Sequence, residues 1–144
     1  MGLVIDTSAI VEIERMAESR NGDGDTWDDL HARAGDAVVV IPAIVCAEIL
    51  VGVELASGTK RAGQRRVRLE ELCARVPVID FDLDVARAWA RLFAVLKQSG
   101  RMIPANDLAV AATATYLAYG VLVGRSGEKH FRAIDGLEVM TVGG

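Results

Sequence analysis

Three acidic residues stand in surroundings that otherwise read as protein interior. Asp6 closes the apolar run Leu3-Val4-Ile5, Glu48 is the only charge between Asp36 and Glu54, and Asp107 is the only charge between Arg101 and Arg125. An ionised carboxylate taken out of water without a partner costs several kcal/mol, roughly, even after relaxation, so each needs a hydrogen bond, an opposite charge or a bound cation. No Lys or Arg lies close in sequence to any of the three. If the chain folds them into one crevice, they form an anionic pocket of oxygen donors. Such a pocket suits Mg²⁺, with Mn²⁺ as a substitute, and a hard cation there can activate water and stabilise the charge that develops during phosphodiester hydrolysis.

Singly, each acid has a plainer explanation. Asp6 is a good helix N-cap, Asp107 is an anion favoured in the first turn of a helix, and Glu48 is a polar residue that could simply face solvent among Ile44, Val45, Ile49 and Val51. The pocket reading requires that the elements carrying them converge.

The elements that must do so alternate along the chain. Leu3 to Ile5 reads as a buried strand, and Asp6-Thr7-Ser8 supplies capping side chains for a helix from Ala9 to Met16. A Gly/Asp/Asn loop spans Arg20 to Asp25, followed by a short helix from Trp27 to Ala34 and a strand from Ala37 to Ile41. Pro42 opens a helix to about Ala56, and Lys60 to Arg75 forms the next. Val76 to Ile79 is a third strand. Asp82 to Gln98 carries Val85, Ala86, Trp89, Leu92, Phe93 and Leu96 on one stripe, and Trp89 and Phe93 are expected in the core. Pro104 to Tyr119 is a nearly all-apolar helix, Val121 to Val123 a fourth strand, and Leu137 to Val142 a fifth after a short turn near Phe131. This alternation predicts a single α/β domain over residues 1 to 144, with a central, mainly parallel sheet of four to five strands covered by helices on both faces.

Composition narrows the function classes. With 51% hydrophobic residues and a net charge of −4, the chain is neither disordered nor a broadly basic nucleic-acid binder, so any RNA contact must come from a local patch. Cys46 and Cys73 lack metal-ligand spacing and a disulfide framework, which points to the cytoplasm. Asp6 interrupts the opening apolar run too early for an export signal, and the uncharged stretch from Leu108 to Gly124 falls short of the roughly 20 residues that span a membrane.

The segments Val4-Ile5-Asp6-Thr7-Ser8-Ala9, Ala47-Glu48-Ile49-Leu50-Val51-Gly52 and Asn106-Asp107-Leu108-Ala109-Val110-Ala111-Ala112-Thr113-Ala114 resemble the PIN-domain family, and within it the VapC-like toxins. Phe131 with Gly136-Leu137-Glu138-Val139 is similar to that family's usual ending. The resemblance implies a three-layer α/β/α fold and a magnesium-dependent endoribonuclease, the toxin of a type II toxin-antitoxin module. It further implies RNA as substrate, a cognate antitoxin protein as partner and a homodimer. Asp6, Glu48 and Asp107 would then be the catalytic metal ligands, with Thr7 and Ser8 offering hydroxyls to the site.

One position departs from the family pattern. Where a fourth acid is usual, the chain reads Gly124-Arg125-Ser126-Gly127-Glu128-Lys129-His130-Phe131, and Glu128 is the candidate replacement, unless it is a solvated turn residue beside Lys129. Arg101, Arg125 and Lys129 are expected nearer the pocket than the basic run Lys60, Arg61, Arg65, Arg66 and Arg68, which reads equally as a solvated face, a partner contact or an RNA-steering patch. His31 and His130 are expected to be ordinary side chains. Two other readings remain open: a catalytically weak PIN-like module that binds RNA or protein, and a phosphotransferase or receiver-like domain with Asp6 as nucleophile. The latter ordinarily needs an acid two residues on, where Ser8 stands.

Overall fold

The computed structural model of the chain describes residues 2–19 and 26–143. The loop expected over Arg20 to Asp25 lies outside them. Five strands, β1 (Gly2–Ile5), β2 (Val38–Pro42), β3 (Val78–Ile79), β4 (Gly120–Val123) and β5 (Val139–Thr141), pair in the order β3-β2-β1-β4-β5. Every pairing is parallel, with Val4 opposite both Val40 and Val121. The sheet is therefore wholly parallel.

Helices α1 (Thr7–Ser19), α2 (Thr26–Ala34), α3 (Ala43–Leu55), α4 (Lys60–Arg75), α5 (Leu83–Gln98), α6 (Ala105–Leu117) and α7 (Glu128–Arg132) cover it. Parallel strands buried on both faces should be apolar without alternation, and Leu3, Val4, Ile5, Val121, Leu122 and Val123 are all fully buried. In α6 every residue from Leu108 to Ala114 is buried, which explains why it shows no apolar stripe. Phe131 is the largest fully buried side chain and anchors α7, where the sequence suggested only a turn.

The differences from expectation are local. Helix α1 begins at Thr7 rather than Ala9, so Thr7 and Ser8 belong to its first turn. Strand β3 is only Val78–Ile79, because Val76 caps α4; the carbonyl of Pro77 nonetheless accepts from Ile41 N of β2 at 2.9 Å. Trp89 and Phe93 stack on one another at 5.2 Å but stay half-buried at the edge of the core. Cys46 and Cys73 are free thiols with sulfurs 3.7 Å apart across α3 and α4, and burial together with Cys73 pushes the Cys46 thiol up to about 12.

Four arginines of the basic run on α4 form ion pairs within the chain, two of them with a buried acid. Arg65 and Arg68 reach the same Oε2 of Glu14 at 3.0 and 3.6 Å, while Arg61 pairs with Glu18 and Arg66 with Glu54. Glu14 is 5% exposed, so these contacts fasten α4 to α1 around a buried charge. Arg61 and Arg66 stay at the surface, whereas Arg65 and Arg68 are turned toward Glu14.

Sheet order also fixes where a site can form. The chain leaves β1 toward β2 and β3 on one side, then returns to place β4 and β5 on the other, so the order reverses between β1 and β4. Parallel sheets open a crevice at the carboxyl ends of such neighbours. Here those ends are Asp6 and Gly124.

Candidate functional site

Asp6 follows β1 directly, and its own N–H donates to Leu122 O at 2.9 Å, which ties it to β4. Its carboxylate serves two purposes. Oδ2 accepts from Ser8 N at 3.1 Å and from Ser8 Oγ at 2.5 Å, which is capping of the α1 start. Oδ1 is buried and has no hydrogen-bond partner. The residue as a whole is 3% exposed.

The turn after β4 closes over this carboxylate. Gly124 N donates to Ser8 Oγ at 3.0 Å, fixing the hydroxyl that holds Asp6. A Cβ at Gly124 would lie 2.3 Å from the Ser8 carbonyl oxygen, and one at Gly127 would lie 3.0 Å from Asp6 Oδ2. Only glycine allows so close an approach of backbone at these two points.

The other two acids arrive from helices whose first turns face the same end of the sheet. Glu48, in the second turn of α3, accepts from Thr7 Oγ1 at 2.8 Å through Oε1. Asp107, in the first turn of α6, meets His130 Nδ1 at 2.6 Å through Oδ2. Burial raises the Asp6 carboxyl above the usual aspartate range; the Ser8 hydrogen bonds oppose this, and the charges of Asp107 and Glu48 add to it. Both carboxylates thus act on Asp6 across the crevice. Each of the three acids is held by a neighbour through one oxygen, the arrangement that orients ligands from behind in metal sites. Among the described residues, however, no three His, Cys, Asp or Glu side chains stand close enough together to hold a metal ion as they lie.

The remaining candidates have partners of their own. Glu128 accepts from Arg132 Nε at 2.9 Å along α7 and is not among the charges acting on Asp6; the part of the turn that reaches Asp6 is Gly127. Arg101 is committed to Asp135 by two hydrogen bonds of 3.2 and 3.3 Å. Arg125 donates its backbone N–H to Glu12 Oε1 at 3.2 Å and lines a cleft that also touches Ser8. His130 is the residue that sequence reasoning passed over. Its only signal was position, one residue before Phe131, whose burial turns that segment toward α6.

A PIN domain family model matches residues 3–137. The chain belongs to the PIN-domain family. Similar PIN-domain relatives include Ribonuclease VapC of Rickettsia bellii, 30% identical over 142 residues that cover 99% of this chain and 97% of that one. Ribonuclease VapC5 of Mycobacterium tuberculosis is 38% identical over 98 residues, 68% of this chain and 70% of that one. Among solved structures, VapBC-5 of Mycobacterium tuberculosis, from the VapBC family of toxin-antitoxin systems, superposes with a TM-score of 0.71 at 32% identity, covering 97% and 98% of the two chains. VapBC2 of Rickettsia felis, bound to a DNA fragment from its promoter, gives 0.75 at 25% identity and 98% coverage of both chains. This PIN domain therefore shares its α/β/α fold with these similar structures along nearly its full length. No described helix is long and apolar enough to cross a membrane.

Proposed function

We propose that this chain is a divalent-metal-dependent endoribonuclease, the toxin of a toxin-antitoxin pair, acting on cellular RNA in the cytoplasm as a homodimer. The observation that carries the reading is Asp6 Oδ1, a buried carboxylate oxygen without a protein partner, at the switch point of the sheet and under the charges of Glu48 and Asp107. An unsatisfied buried acceptor costs about 1–3 kcal/mol, more when charged, and a cation removes that cost. The donors are hard oxygens, which fit Mg²⁺ or Mn²⁺. Asp6, Glu48 and Asp107 are the residues that would hold it.

A metal held by Asp6, Glu48 and Asp107 would supply Lewis-acid stabilisation of the phosphoryl oxygens and activation of water for phosphodiester hydrolysis. The chain's own side chains do the rest. Ser8 occupies Asp6 Oδ2 and leaves Oδ1 without a protein partner, Thr7 holds Glu48, and His130 Nδ1 holds Asp107. Control by an antitoxin accords with the toxin-antitoxin systems among the similar structures, and with the exposed apolar side chains Val51, Leu55 and Val67 on α3 and α4, which a partner would cover.

One observation favours a second reading, a PIN-like module that binds without cutting: no three acids among the described residues are gathered tightly as they lie. Incubation of the purified chain with single-stranded and structured RNAs separates the two. Cleavage with Mg²⁺ or Mn²⁺ that stops in EDTA is expected. Undiminished cleavage in EDTA, or none under any condition, would overturn the nuclease reading.

A further inference from the structure

Beside the acid crevice, on the outer flank of α1, lies a cleft of about 430 Å³ bordered by Ser8, Glu12, Arg15, Arg125, Ser126 and Gly143. Its size is within the roughly 300–1,000 Å³ typical of ligand sites. One wall is Ser8, whose Oγ holds Asp6 Oδ2, so the cleft and Asp6 stand back to back across a single residue. The cations matter most. Arg61, Arg65, Arg66, Arg68, Arg87, Arg101 and Arg132 are all engaged in ion pairs. Of the described arginines that form no ion pair, only Arg15 and Arg125 line this cleft. Glu12 is the one acid there, and its Oε1 accepts from the backbone N–H of Arg125, leaving two guanidinium groups against one carboxylate.

A polyanion approaching three carboxylates on a chain of net charge −4 is repelled unless a local positive site offsets them. The geometry points to this cleft as an RNA phosphate subsite, in which Arg15 and Arg125 take a backbone phosphate flanking the one presented to Asp6, Glu48 and Asp107. This rests on the nuclease reading for the identity of the ligand. Guanidinium forks match phosphate oxygens, and the Ser126 hydroxyl adds a donor at the same rim. Both arginines are positioning residues: they fix the strand's register and leave the chemistry to the acids.

The test is binding of a short fluorescent single-stranded oligoribonucleotide by anisotropy in EDTA, as salt rises from roughly 50 to 200 mM. Wild type is compared with R15Q/R125Q and with R75Q/R91Q, which removes two charges elsewhere. Affinity of R15Q/R125Q is expected to fall at least about tenfold, with its salt dependence shallower by about 0.7 in log–log slope for each phosphate the protein no longer neutralises. R75Q/R91Q should follow wild type. Equal affinity and slope in R15Q/R125Q, an equal loss in R75Q/R91Q, or no saturable binding by wild type would overturn the subsite. The two claims fail separately. Loss of binding in R15Q/R125Q with no cleavage by wild type in Mg²⁺ keeps the subsite and removes the nuclease, whereas cleavage by R15Q/R125Q with unchanged KM does the reverse.

Discussion

Asp6→Asn is expected to lose RNA cleavage by more than about 100-fold while melting, in EDTA, at or above the temperature of the wild type. The activity loss is large because removing only an outer partner of a metal ligand typically costs 10–100-fold, roughly, and Asp6 is proposed as a ligand itself. The stability gain follows from the direction of its titration. Burial raises the folded-state carboxyl above the ordinary value near 3.8, with Asp107 and Glu48 adding to the shift. The stabilisation tied to the protonated form is therefore complete below that ordinary value and lost as pH rises through the folded-state value. At neutral pH the wild type carries the cost of an ionised Asp6, and the neutral amide does not. Each kcal/mol relieved should raise the midpoint by about 2–4 °C in a domain of this size. The advantage should vanish in acid, where both side chains are neutral. A variant that melts far below wild type and still cuts RNA would contradict both halves.

The largest loss of stability should come from the other buried acid. Arg65→Met with Arg68→Met leaves Glu14 inside the α1–α4 contact with neither of its ion-pair partners. Breaking a buried pair from one side typically costs about 3–5 kcal/mol, which corresponds to a fall in midpoint on the order of 10 °C. Adding Glu14→Met to that pair should recover most of the loss, because an apolar replacement of similar volume leaves no charge to solvate. Thermal melting of the double and triple variants checks this. A double variant that melts like wild type would mean that Glu14 reaches water, and that α4 is not fastened through it.

Much of the fold was legible because its signals are local. The alternation of apolar runs and helical stripes located all five described strands and six of the seven described helices to within a few residues, and it predicted a mainly parallel sheet where the described strands pair wholly in parallel. Helix α7 escaped because five residues are too few to show a period. Asp6, Glu48 and Asp107 were conspicuous because a charge in an apolar segment is costly anywhere along the chain. Their supports were not. The Thr7–Glu48 bond spans 41 positions and the Glu14–Arg65 pair 51, and such contacts depend on how helices dock after the sheet has formed. The same limit applies to Glu128 and Arg101. Sequence put both beside the pocket, but Arg132, one turn along α7, and Asp135, in the turn before β5, compete for their charges.

The central claim is that three carboxylates distant in the chain share one divalent cation, with the free oxygen of Asp6 as its buried anchor. Calorimetric titration of the wild type and of Asp6→Asn with Mn²⁺ tests it without any RNA. A saturable binding event in the wild type that disappears in the variant is the predicted result. No heat of binding to the wild type through the millimolar range, or identical isotherms for the two proteins, would contradict it.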